Sequence, residues 1–257
     1  MKKKLGGFFL SSFIITSETN PSLMKHSLLY FSIFIFSTTT FCQELTGIEL
    51  LEKAISYHDP NDNWNTFKGT LHVTMETPDK SNRETEIKIN LPEEYFYSKA
   101  VKDSITTEFI LEKDNCKILL NGKADFSEEL AKKHRLSCER ATMYKNYYTY
   151  LYGLPMKLKD SGTIIHKKVA RKIFQGKEYL VLKVTYDEGV GKDIWYFYFN
   201  PETYAMEVYQ FFHEESKNDG EYILLSDIEI INGIKMPKIR KWYYNKDGGL
   251  LGTDVLK

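Results

Sequence analysis

The sequence predicts an α+β fold: a strongly curved antiparallel β-sheet, a half-open barrel of ten or more strands, with two or three covering helices. Three observations predict it. Runs of period-two alternation recur along the chain from Thr66 to Leu256, and each gives a strand one dry face. Neighbouring runs are joined by connections as short as Lys102-Asp103 and Asp114-Asn115, whereas a parallel crossover needs a dozen or more residues. Few stretches carry helical spacing, and a flat sheet this wide would curl, so a helix-covered, strongly bent sheet or partial barrel is the natural outcome.

Residues 1–42 stand apart as a signal-peptide region. From Met24 the chain runs through basic Lys25-His26, an apolar stretch Leu28 to Phe36, and small residues Ser37 to Cys42 before Gln43-Glu44. This is the layout of a secretion signal, with a core too short to span a bilayer. Met1-Lys2-Lys3-Lys4 and Phe8 to Ile15 repeat it more weakly, so the true start is placed at Met24. Cleavage after Cys42 would leave residues 43–257 as a single periplasmic or secreted domain without a stable membrane span. The alternative is a lipid anchor on Cys42, which is disfavoured by Phe41 at a place where that processing takes a small residue. Without Lys2, Lys3, Lys4, Lys25 and Glu18, the 35 basic and 35 acidic residues become 31 and 34. A net charge of about −3 gives no reason to bind nucleic acid or an anionic membrane surface.

The first element of the domain is a helix. Thr46-Gly47-Ile48-Glu49 is a capping box, and Ile48, Leu51, Ala54, Ile55 and His58 follow at helical spacing up to Asp59-Pro60. Strands come next, with Phe67, Gly69, Leu71, Val73 and Met75 alternating against polar neighbours, then Ile87, Ile89 and Leu91. Tyr95 to Val101, Ile105 to Leu111 and Cys116 to Leu120 complete a first meander. Asp125 or Ser127 then caps a short helix through Lys133. A second helix places Ala141, Tyr144, Tyr147, Tyr148 and Leu151 on one stripe before Gly153-Leu154-Pro155. Tyrosine joins a large apolar body to a hydroxyl that wants water or a partner, so this stripe suits either a helix packed with its hydroxyls at a rim or the lining of a ligand site. The second meander reads as Tyr179 to Tyr186, Ile194 to Phe199, Met206 to Phe212, Tyr222 to Ile230, Ile234 to Tyr244 and Leu250 to Leu256. Asn200-Pro201 marks a type I turn, and Asn232-Gly233 is the strongest hairpin signal. Ile194 to Phe199 carries large residues on both faces, so both should be covered.

No catalytic constellation appears. His58, His72, His134, His166 and His213 are scattered without metal-ligand spacing, and there is no Gly-x-Ser-x-Gly elbow. Asp59, Asn61, Asp62 and Asn63 offer oxygens for Ca²⁺, but this composition after a helix favours a turn that bonds its own backbone. Glu128-Glu129 and Asp187-Glu188 read as solvated surface. In an oxidising compartment Cys116 and Cys138 can form a disulfide; two buried thiols are the alternative. No enzyme activity, metal or cofactor is expected.

The order of signal, amphipathic helix, meander, helical insertion and second meander, ending in Asn232-Gly233-Ile234-Lys235-Met236-Pro237-Lys238, resembles the LolA-like periplasmic lipoprotein-carrier superfamily. The segments Tyr57-His58-Asp59-Pro60, Leu91 to Tyr97, Tyr144 to Pro155 and Trp195 to Phe199 resemble an uncharacterised family of secreted Gram-negative envelope proteins. The resemblance implies helices acting as a lid on a half-open barrel, with acyl chains bound in an apolar cavity. The expected ligand is accordingly a lipid, an acyl chain or a lipidated protein, walled by Leu71, Val73, Trp195, Phe197 and Phe199 and lidded by Tyr147, Tyr148 and Leu151. The competing expectation is a non-catalytic envelope structural or interaction module whose concavity is filled by its own aromatics.

Overall fold

The structure is a computed structural model and describes residues 44–257. The segment expected to be an export signal, residues 1–42, and the expected cleavage point after Cys42 lie outside the described residues. Helix α1 (Gly47–His58) precedes five strands: β1 (Lys68–Glu76), β2 (Arg83–Asn90), β3 (Tyr95–Lys102), β4 (Ile105–Glu112) and β5 (Asn115–Leu120). Helices α2 (Glu128–His134) and α3 (Cys138–Gly153) follow. Seven strands complete the chain: β6 (Thr163–Phe174), β7 (Lys177–Tyr186), β8 (Ile194–Phe199), β9 (Met206–Phe212), β10 (Glu221–Ile231), β11 (Ile234–Tyr244) and β12 (Leu250–Leu256).

All twelve strands form one curved antiparallel sheet in the order β5-β4-β3-β2-β1-β12-β11-β10-β9-β8-β7-β6. The first meander runs outward from the centre and the second runs back inward, so β12 closes on β1 with Val73 opposite Leu256. Strands consecutive in sequence, β5 and β6, are thereby left at opposite edges. The helical segment between them must cross from one edge to the other, and this brings α3 over the sheet. The barrel is therefore not closed, as β5 and β6 keep free edges.

Two sequence expectations are corrected. No strand was expected at Thr163–Phe174, yet it forms edge strand β6. Its register shifts between Ile165 and Val169, and Lys167, Lys168, Arg171 and Lys172 hide the alternation. A bulge and charges are the usual guards of an exposed edge. Ile48, assigned to the apolar face of α1, is 53% exposed; Gly47, Leu50, Leu51, Ala54 and His58 are the buried residues. The cause is Gly47, which lies so close to the His166 carbonyl oxygen that a Cβ there would overlap it. That contact rotates the helix away from Ile48.

Local chemistry fixes the remaining joints. The Thr46 hydroxyl accepts from Glu49 N–H while the Glu49 carboxylate accepts from Thr46 N–H at 2.8 Å, closing the capping box. Asn232 and Gly233 both have positive φ, 52° and 81°, as a type I′ hairpin turn requires. Both carboxylate oxygens of Asp59 accept backbone N–H groups, from Asn63 and Trp64 at 2.8 Å, so the 59–63 segment is a self-bonded turn. His58 is fully buried: its Nδ1 donates to the Lys235 carbonyl at 2.7 Å and its Nε2 accepts from Met206 N–H at 2.9 Å. Only the neutral ring can do both, and burial lowers its pKa to about 4.

The main core joins α1, α3 and the facing side of the sheet, from Leu50 through Phe96 and Phe197 to Leu256. A smaller cluster of Tyr179, Val181, Tyr198 and Val208 occupies the other side. This pair of clusters accounts for the large residues on both faces of β8: Phe197 and Phe199 belong to the first, Tyr198 to the second. None of the described helices is long and apolar enough to cross a membrane.

Candidate functional site

Helix α3 is capped by Ser137, whose hydroxyl accepts from Arg140 N–H, and is tied to edge strand β5 by a disulfide between Cys116 and Cys138, with Cα atoms 6.0 Å apart. Its rings then step across the sheet. Tyr144 packs on Phe109 of β4 at 5.6 Å and Tyr148 on Phe96 of β3 at 6.4 Å. Tyr147 stacks on Trp242 of β11, and Tyr150 meets Trp195 of β8 edge-on at 5.7 Å. The helix thus spans the concavity from one meander to the other.

This crossing divides the eight residues expected to bind ligand. Leu71, Val73, Tyr148, Leu151, Phe197 and Phe199 lie together in the packed interior, all at most 4% exposed. Tyr147, 37% exposed, and half-buried Trp195 instead meet solvent at the rim. The depth of the concavity is filled by the protein itself, and its mouth is not.

Beneath α3 the interface is partly polar. Arg240 of β11 is only 1% exposed. Its guanidinium donates to the carbonyls of Pro237 at 2.8 Å and of Leu151 in α3 at 3.4 Å, and it lies 4.2 Å from the centroid of the Tyr152 ring. Directly opposite in register stands Asp254, which accepts from Trp242 Nε1 at 3.1 Å. Burial raises the Asp254 pKa against the opposing pull of Arg240 and Arg83. A void of about 70 Å³ among Arg83, Thr85, Ser98, Ala100, Thr107, Phe109, Tyr144 and Tyr148 completes this layer. Sequence reasoning missed Arg83, Arg240 and Asp254. Each sits in the dry phase of its strand, in step with Ile87 and Ile89, with Ile234 and Met236, and with Leu256; charge in that phase was the available signal.

At the mouth lies a cleft of about 420 Å³ lined by Tyr147, Tyr150, Tyr186 and Trp195, by Asn146, Thr149, Lys157, Asp160 and Asp193, and by Val190-Gly191 of the β7–β8 loop. The Tyr150 and Tyr186 hydroxyls hydrogen-bond at 2.5 Å. Burial, with the charges of Asp160 and Asp193 added, pushes the Tyr186 hydroxyl up to about 12. Asp160 pairs with Lys157, and Asp193 accepts from His213 Nδ1 at 2.7 Å, which raises the His213 pKa. A second cleft, of about 580 Å³, lies between α1 and Met156 and is lined chiefly by polar residues such as Glu52, Asp62 and Lys159. Among the described residues, no three His, Cys, Asp or Glu side chains are grouped as a metal site needs.

The chain belongs to a family of unknown function, DUF6503, which matches residues 25–256. No curated protein matches it. Among solved structures it is similar to a LolA superfamily protein from Nitrosomonas europaea, at 12% identity and a TM-score of 0.47 over 82% of this chain and 91% of that one. It is also similar to a DUF1329 family protein from Desulfovibrio piger, at 10% identity and a TM-score of 0.45 over 84% and 92% of the two chains.

Proposed function

We propose that this family member is an exported, non-catalytic envelope protein that binds a hydrophobic ligand, a lipid, an acyl chain or a lipidated protein, at the mouth of its concave sheet. The observation that carries this reading is the aromatic cleft beside α3, where Tyr147 and the outer side of Trp195, whose inner side packs on the core, border open space. Each methylene drawn out of water contributes about 0.8 kcal/mol. About ten are needed for the roughly −8 kcal/mol of a micromolar complex, before the cost of association. The reading is tested with an uncharged fluorescent long-chain alcohol probe on delipidated protein. Trp195→Ala should weaken probe binding about tenfold while keeping a cooperative unfolding transition, with a stability loss below the roughly 3–5 kcal/mol of a fully buried aromatic.

The second reading, a structural or interaction module, is favoured by the complete burial of Leu71, Phe197 and Phe199. Absence of probe binding to the wild type would decide for it. Export itself is tested by intact mass: a start at Gln43 supports cleavage after Cys42, and acyl mass on Cys42 would make the protein membrane-anchored.

A further inference from the structure

We propose that the cleft beside α3 is selective for ammonium groups: its preferred ligand carries a positively charged, alkylated nitrogen. This rests on the reading of the cleft as a ligand site and specifies the chemistry that the site selects. Four aromatic side chains, Tyr147, Tyr150, Tyr186 and Trp195, line a single space. Aromatic rings carry negative faces that attract a cation within about 6 Å, and they do so most strongly where water is excluded. A cleft for a bare hydrocarbon needs no charge, yet this one holds two carboxylates, Asp160 and Asp193.

Among the described residues, the only cation on its lining is Lys157, already paired with Asp160. Asp193 is held at the wall by the His213 ring, on the β9 side. The lining therefore carries one uncompensated negative charge when His213 is neutral. The field of both carboxylates reaches the cleft interior, where it adds to burial in opposing ionisation of Tyr186. A fatty-acid carboxylate would meet a net negative charge at this mouth, whereas an ammonium group meets opposite charge and aromatic rings together. Two sources share this chemistry, a free small amine and the headgroup of a choline-type lipid, and both present the same cation.

The test is equilibrium binding of decyltrimethylammonium, decanol and decanoate below their aggregation concentrations, followed by tryptophan fluorescence. The ammonium amphiphile should bind about tenfold more tightly than decanol and more tightly still than decanoate. That preference should fall to near parity in the Asp160→Asn/Asp193→Asn double variant, whose thermal midpoint verifies folding. Equal binding of decanol and decyltrimethylammonium would overturn the inference and leave the hydrophobic site standing. Binding of none of the three would overturn both. Tetramethylammonium alone and vesicles of phosphatidylcholine then distinguish the sources: binding of the small cation assigns a free amine, and binding confined to the amphiphile and the vesicles assigns a lipid headgroup.

Discussion

Helices α1 and α3 pack into the same core by opposite means. α1 presents Leu50, Leu51 and Ala54 to the sheet, begins in a closed capping box and ends in His58, bonded to two distant strands. α3 presents tyrosines, is anchored at its start by a disulfide, and meets near its end a buried arginine that bonds one of its carbonyls. Aliphatic packing is non-directional and excludes water, so α1 is a fixed wall. Rings with hydroxyls tolerate a wet border, and α3 can therefore help form the rim of a cleft while Tyr148, Leu151 and Tyr152 close the depth beneath it.

The filled depth beneath α3 is probed most directly at Phe197. It is 0% exposed in the filled depth, and truncation to Ala should cost about 3–5 kcal/mol in denaturant unfolding. A loss near 1 kcal/mol would mean that the concavity below α3 is open. Reducing the disulfide that anchors α3 should cost roughly 2–4 kcal/mol, given that it closes a loop across a sequence separation of 22; an unchanged unfolding midpoint on reduction would show α3 held by its rings alone.

The fixed character of α1 is sharpened by pH. His58 is neutral in the fold, with its pKa lowered from 6.5 to about 4, so the unfolded chain binds the extra proton between those values. Stability is full above pH 6.5, falls as the pH drops from 6.5 to about 4, and loses nothing further to this group below that. The loss amounts to about 3 kcal/mol. His58→Gln should flatten that part of the stability–pH curve, and an unaltered slope would assign it to other groups. The smallest effect is expected at Tyr147→Ala, within about 1 kcal/mol of wild type, because that ring sits at the rim.

The sequence made the local elements legible and left the long-range ones obscure. Thr46 and Glu49, Asn232-Gly233 and the alternation in β1 and β2 each encode their structure within a few residues. β6 was hidden because an edge strand must carry charge, and Lys167, Lys168, Arg171 and Lys172 supply it. At the site, the aromatics of α3 and β8 were visible as a set. Their division between depth and rim was not, since it depends on where α3 crosses strands remote in sequence. Arg240 and Asp254 were readable in principle from their strand phase, but a charged residue in a strand is ordinarily assigned to the wet face.

The pairing of β12 with β1 at the centre of the sheet carries a consequence for folding order. Each meander is built from neighbouring hairpins that can form as the chain emerges. The seam that makes them one sheet joins Val73–Glu76 to Thr253–Leu256, almost the whole length of the domain apart. Contacts of such separation form late and slowly. The two meanders, already bridged by α3 and the shared core, therefore become one continuous hydrogen-bonded sheet only when the last strand arrives.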